Sequence, residues 1–183
     1  MTRRFTPRRL TLGAAALAAA LLTACASAPM PSDYAAEKPP LDLATYFNGD
    51  LVAHGLFTDR NGKVARRFTV AMKCTWTGDN GVLEEDFSYS DGKKDRRVWR
   101  LKKLPGGKYT GMADDVVGTA LGQVGGNALQ WSYTLRLPVD GSVYEVQFDD
   151  WMYLMDERVM LNKAQMSKFG FHLGEVTLSF YKK

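Results

Sequence analysis

The chain has 183 residues, with 24 lysines and arginines against 20 aspartates and glutamates. The whole surplus is Arg3, Arg4, Arg8 and Arg9, so the 159 residues after position 24 carry twenty of each and no net charge. That balance excludes the sustained positive field that nucleic-acid binding needs, and the length suits a single domain with a real core.

The four arginines form a positive n-region, and Leu12 to Leu22 an Ala/Leu-rich apolar run of signal-peptide length. Leu22-Thr23-Ala24-Cys25 then reads as a lipobox. Residues 1–24 are expected to be removed as a lipoprotein signal peptide, leaving Cys25 first in the chain. Its sulfur would carry diacylglycerol and its amine a third acyl chain, and three chains hold a membrane far more firmly than one. The expected address is the cell envelope. Ala26, not aspartate, follows the cysteine, which points to the outer membrane facing the periplasm in a Gram-negative host. Neither arginine pair opens a twin-arginine consensus, so general secretion is expected. With Cys25 lipidated, Cys74 has no disulfide partner; its place on the apolar phase of residues 70–74 predicts a buried small side chain.

Residues 25–41, rich in Ala, Pro and Ser and ending near Lys38-Pro39-Pro40, read as a flexible tether. Residues 42–183 read as one domain. From Asn48 onward, strand-like runs alternate with turn signals such as Asp59-Arg60-Asn61-Gly62, Asp79-Asn80-Gly81, Asp91-Gly92, Asp140-Gly141 and Met155-Asp156-Glu157-Arg158. Leu129, Trp131, Tyr133, Leu135 and Leu137 share one phase, while Gln130, Ser132, Thr134 and Arg136 share the other. That describes a strand with one dry and one wet face. Eight to ten hairpin-linked strands without a long helix predict an all-β fold. The expected form is an antiparallel up-and-down, lipocalin-like barrel or a strongly curled meander, closed to remove its edges, with a two-sheet sandwich as the alternative. Residues 116–128, with four glycines, break the rhythm and are expected to form an irregular connection or a mobile lid.

Charges on an inward phase are the first candidates for chemistry. Arg66 shares its phase with Phe68 and Val70, Glu85 lies between Leu83 and Phe87, and Arg97 precedes Trp99. Inside a barrel these charges must pair or meet a polar ligand head, and arginine geometry suits a carboxylate or phosphate. Trp76, Trp99, Trp131 and Trp151, with Tyr133, are candidates to line a lipid pocket or simply to fill a core. Adjacent strand residues face opposite sides, so neither Asp114-Asp115 nor Asp149-Asp150 is a catalytic pair by itself. One member of each could converge, and Asn162 is a further polar candidate. His54 and His172 are the only histidines, and no metal-ligand spacing, nucleotide loop or serine elbow is present. No metal and no cofactor are expected.

Phe47-Asn48-Gly49, Arg66-Arg67-Phe68, Phe87-Ser88-Tyr89-Ser90-Asp91-Gly92, Arg97-Val98-Trp99, Ala113-Asp114-Asp115-Val116, Asp149-Asp150-Trp151-Met152 and Lys168-Phe169-Gly170 together carry a resemblance. The chain from about Leu43 to Lys183 resembles an uncharacterised bacterial lipoprotein family, domain of unknown function three-eight-three-three. The resemblance implies a membrane-anchored, lipocalin-like barrel and a loose link to lipid-modifying genes; it carries over no catalytic residue. Three functions stand open, in this order. The first is an anchored barrel that binds a fatty acid, lipid or similar amphiphile. The second is an envelope scaffold whose partner is a protein, and the third an accessory enzyme acting on lipids through the aspartates.

Overall fold

The computed structural model describes residues 28–139 and 141–183; the signal segment and Cys25 lie outside them. Ten strands follow in order: β1 (Gly49–Asp59), β2 (Val64–Thr77), β3 (Asn80–Tyr89), β4 (Lys94–Leu104), β5 (Lys108–Met112), β6 (Ala120–Gly125), β7 (Ala128–Val139), β8 (Ser142–Leu154), β9 (Val159–Lys168) and β10 (Phe171–Lys182). Each pairs antiparallel with its neighbour in sequence, and β1 closes on β10. The result is a closed up-and-down barrel, not a sandwich. Connections after odd-numbered strands gather at one end, the mouth. Those after even-numbered strands gather at the other, the floor, with both ends of the described chain.

Turn chemistry sets the register. The Asp59 carboxylate accepts from the amides of Asn61 (2.9 Å) and Lys63 (3.0 Å), and Asp156 does the same for Arg158 and Val159 at 2.8 Å. Such side-chain mimicry of a backbone turn is what aspartate offers at these positions.

The alternation read from the sequence becomes the inside and outside of the wall. Val70, Met72 and Cys74 of β2, Leu129, Trp131 and Leu135 of β7, and Met160 and Ala164 of β9 all bury inward. Cys74 is 1% exposed, and burial, with repulsion from Glu85 and Asp50, pushes its thiol up to about 12. It is a packing residue.

A short helix, α1 (Leu43–Tyr46), closes the floor. Asp42 caps it by accepting from the Ala44 amide at 2.8 Å. Buried Leu41, Leu43, Tyr46 and Phe47 fill the opening. Tyr46 donates to the carbonyls of Arg158 (3.1 Å) and Phe180 (3.3 Å), and Trp76 Nε1 donates to the Phe47 carbonyl at 2.8 Å. The plug is thus tied to β2, β10 and the β8–β9 turn.

Two segments differ from their sequence reading. The second half of the expected tether lies against the wall. A 3₁₀ turn at Pro31–Tyr34 brings Tyr34 against Trp151 and Tyr153, with ring centroids 5.7 and 5.5 Å away, and the Leu41 amide donates to Gly126. Tyr34 supplies the apolar contact that composition alone did not promise. The irregular stretch is also shorter than 116–128, because Ala120–Gly125 is β6 and only 113–119 is a loop. That loop completes the wall above β6: Val117 donates to Thr134, Arg136 donates to Asp115, and Val116 bridges Leu135.

Candidate functional site

Interior room grows with strand number, and about eight strands enclose a space that side chains just fill. The ten-stranded barrel keeps a cavity of about 840 Å³. It runs from Leu43 and Phe47 at the floor to Val139, Tyr144 and Lys168 at the mouth. Aromatic rings make much of its wall. Tyr133 stacks on Phe148 at 4.9 Å, and Trp99 meets Trp131 and Tyr133 edge-on at 5.7 and 5.4 Å.

Of the four tryptophans, Trp99 and Trp131 line this space. Trp151 does not: it lies on the outward phase of β8, where the Tyr34 strap covers it. Trp76 belongs to the floor, bonded to Phe47. Neither Trp76 nor Trp151 is a pocket residue.

The three inward charges all border the cavity. Arg97 gives Nε and a terminal nitrogen to Asp115 at 2.9 and 2.7 Å, and its other terminal nitrogen stands 3.9 Å from Glu85. Burial lifts the Glu85 carboxyl to about 7; Arg97 opposes the shift and Asp115 adds to it. Arg66 sits nearer the mouth. It holds Asp91 at 2.7 Å and lies 3.6 Å over the Tyr89 ring, and its Nε is buried without a partner. Both guanidinium forks therefore already face a carboxylate of the protein, which leaves little free charge for an anionic head.

Strand alternation and the 113–119 loop separate the aspartate pairs. Asp149 points outward and accepts from Gln130 Nε2 at 2.8 Å, while Asp114 is fully exposed, 3.9 Å from Arg100. Asp150 faces the lumen, 6% exposed, and accepts from Asn162 Nδ2. Burial pushes its carboxyl up to about 7, against the Asn162 hydrogen bond and with added repulsion from Asp149 and Glu85. Asp115 belongs to Arg97. Asp150 feels the charge of Glu85, and Glu85 that of Asp115. Burial and the nearby Asp150 also hold the Tyr133 hydroxyl far above its ordinary range.

Phe148 and Lys168 are not among the site candidates read from the sequence. Both lie on inward phases, with Tyr144, Val146 and Asp150 on β8 and with Asn162, Ala164 and Met166 on β9. The phase was the signal that could have found them. Lys168 Nζ lies 4.6 Å from the Tyr144 ring centroid at the mouth. Among the described residues, no group of three or more His, Cys, Asp or Glu is placed to hold a metal ion, and no helix is long and apolar enough to cross a membrane.

Comparison with curated proteins gave no match. A family model described as "Protein of unknown function (DUF3833)" matches residues 19–182, nearly the whole chain and every strand of the barrel, and the chain belongs to that family.

Proposed function

We propose that this protein is an envelope lipoprotein, anchored through Cys25, whose barrel holds a single-chain amphiphile such as a fatty acid. The observation that carries this reading is the cavity itself. Its volume of about 840 Å³ lies within the usual range for small-molecule sites, and its wall is mostly aliphatic and aromatic with a few convergent polar groups. An interior built only for stability would be filled, because empty apolar space forfeits dispersion contacts.

The test is direct binding of cis-parinaric acid, a fluorescent fatty acid, to the chain lacking residues 1–24 and carrying Cys25→Ser. Leu137→Trp places an indole in the cavity near the mouth and is expected to weaken binding at least about ten-fold. Leu121→Trp, on an outward position that is 59% exposed, is expected to leave it unchanged. Equal binding by both variants would place the probe outside the barrel and refute the reading.

One observation favours a second reading, an interaction protein with an envelope partner. The β9–β10 hairpin exposes Phe169 and Phe171 at 85% and 74%. Phe169 also adopts a positive φ of 51°, a backbone cost that a non-glycine residue seldom bears without purpose. If this reading is right, Phe169→Ser with Phe171→Ser abolishes association with the partner and leaves probe binding intact.

A further inference from the structure

The cavity is not uniformly apolar. Leu83, Leu101 and Leu129 line it toward the floor, and Phe68, Leu137 and Val176 toward the mouth. Between them lies a polar belt made by Glu85 near the middle of β3, Tyr133 near the middle of β7, and Asp150 with Asn162 on β8 and β9. Polar groups taken from water are costly unless they are hydrogen-bonded, so an interior that only needed filling would carry none here.

The protein satisfies this belt in part. Asn162 Nδ2 serves Asp150 and the Trp151 carbonyl, but Asn162 Oδ1 is buried, in a residue 2% exposed, with no partner. Among the described residues, no group is hydrogen-bonded to the Tyr133 hydroxyl, and the nearest cation to Glu85 stands at 3.9 Å. These groups line the lumen between the two apolar stretches.

Their charge defines what they can receive. One guanidinium, Arg97, faces the carboxyl groups of Glu85 and Asp115, and Asp150 adds a third carboxyl that feels the Glu85 charge, so a second anion here meets no free positive charge. A neutral oxygen suits the belt better. It can accept from the Tyr133 hydroxyl or a carboxyl proton, and a ligand hydroxyl can donate to Asn162 Oδ1.

We propose that this belt is a hydrogen-bonding subsite for an uncharged oxygen carried part-way along the ligand, so that the protein selects an oxygenated acyl chain over a plain one. The subsite rests on the reading of the barrel as an amphiphile carrier. The chain's ionised end stays at the mouth, where Lys168 borders the cavity, and its far end fills the floor.

The experiment measures displacement of cis-parinaric acid from the same Cys25→Ser chain by octadecanoate and by 10-hydroxyoctadecanoate. The hydroxylated chain is expected to bind at least about ten-fold tighter, as sites built to hydrogen-bond a hydroxyl discriminate against analogues that lack it. Tyr133→Phe keeps the ring on Phe148, and it should bring the affinities of the two ligands within about two-fold of each other. Equal affinities in the unsubstituted protein, or a preference that survives both Tyr133→Phe and Glu85→Gln, would overturn the subsite. Failure of both chains and of the probe to bind would instead refute the carrier reading.

Discussion

Arg97 is the residue on which the interior electrostatics turn. Its fork holds Asp115 and its remaining nitrogen faces Glu85, so Arg97→Met would leave two carboxylates without their cation. Breaking a buried pair from one side costs about 3–5 kcal/mol; the partial exposure of this pair puts the expected loss near 2–3 kcal/mol, read as a shift in the urea midpoint. Adding Glu85→Gln should recover part of it. The raised carboxyl groups make a second prediction. The folded protein keeps protons on Glu85 and Asp150 up to about pH 7, whereas the unfolded chain releases them in the ordinary carboxylate range. Stability should therefore fall as pH rises from about 4.5 to 7 and level off above that, by roughly 1–3 kcal/mol per group. Asp91, held low by Arg66, and Asp156, held low by the amides of Arg158 and Val159, act in the opposite sense. Their contribution is lost as pH drops below the ordinary carboxylate range, which sets the maximum near pH 5. Urea denaturation across pH 4–8 checks this, and Glu85→Gln with Asp150→Asn should flatten the fall. A stability that climbs steadily to pH 7.5 would contradict it. Glu85 and Arg97 were legible in the sequence because each interrupts an apolar phase. Asp115 was legible only as one of two neighbours, since a loop, and not a strand, decides which of them turns inward.

At the scale of the element, β5 and β6 show why part of the fold was hidden. Beside Tyr109 and Val124, their inward positions are small, with Gly111 on β5 and Ala120 and Gly122 on β6, so only a weak apolar alternation marks them. The Trp131 indole from β7 lies across both strands and fills the space that their side chains would occupy. A Cβ on Gly122 would come within 2.4 Å of that ring, and one on Gly111 within 2.6 Å. Sequence alternation cannot report a strand whose inner face belongs to its neighbour. Gly122→Ala is expected to cost about 1–3 kcal/mol through overpacking. In a double-mutant cycle with Trp131→Leu, most of that penalty should disappear. Additive losses would show that Gly122 serves some purpose other than admitting the indole. The N-terminal strap teaches the same lesson from outside. Trp151 sits on the outward phase, and only the arrival of Tyr34 makes it buried, a long-range contact that no local pattern encodes.

The whole molecule has polarity. Chain entry, α1 and the C-terminus lie at the floor, while the cavity borders the opposite end. Residues 25–30 span at most about 20 Å even when extended. If Cys25 is the anchor, as proposed, it would hold the floor toward the membrane and direct the mouth, with Phe169 and Phe171, into the aqueous space. This orientation predicts exchange of ligand across water or with a partner, and not with the bilayer beneath. Fluorophores on Glu157→Cys at the floor and Asn61→Cys at the mouth separate the two cases in vesicles carrying the lipidated protein. Cys74 does not compete for label, being buried with its thiol pushed up to about 12. Brominated lipid should quench the floor label and spare the mouth label; the reverse would turn the barrel over.

The barrel and its inward phases could be read from alternation and turn chemistry, because each strand pairs with its sequence neighbour and only the closure of β1 on β10 joins distant segments. Whether the interior is hollow could not, since that depends on strand number and on how far side chains from opposite walls reach. The hollow interior is also what the functional account depends on. Native mass spectrometry of the unlipidated Cys25→Ser chain, purified without detergent and followed by organic extraction, tests it most directly. A discrete bound mass in the acyl-lipid range, lost in Leu137→Trp, is the expected result. A clean mass for the bare chain, unchanged after incubation with envelope lipids, would contradict the account and turn attention to a protein partner at the mouth.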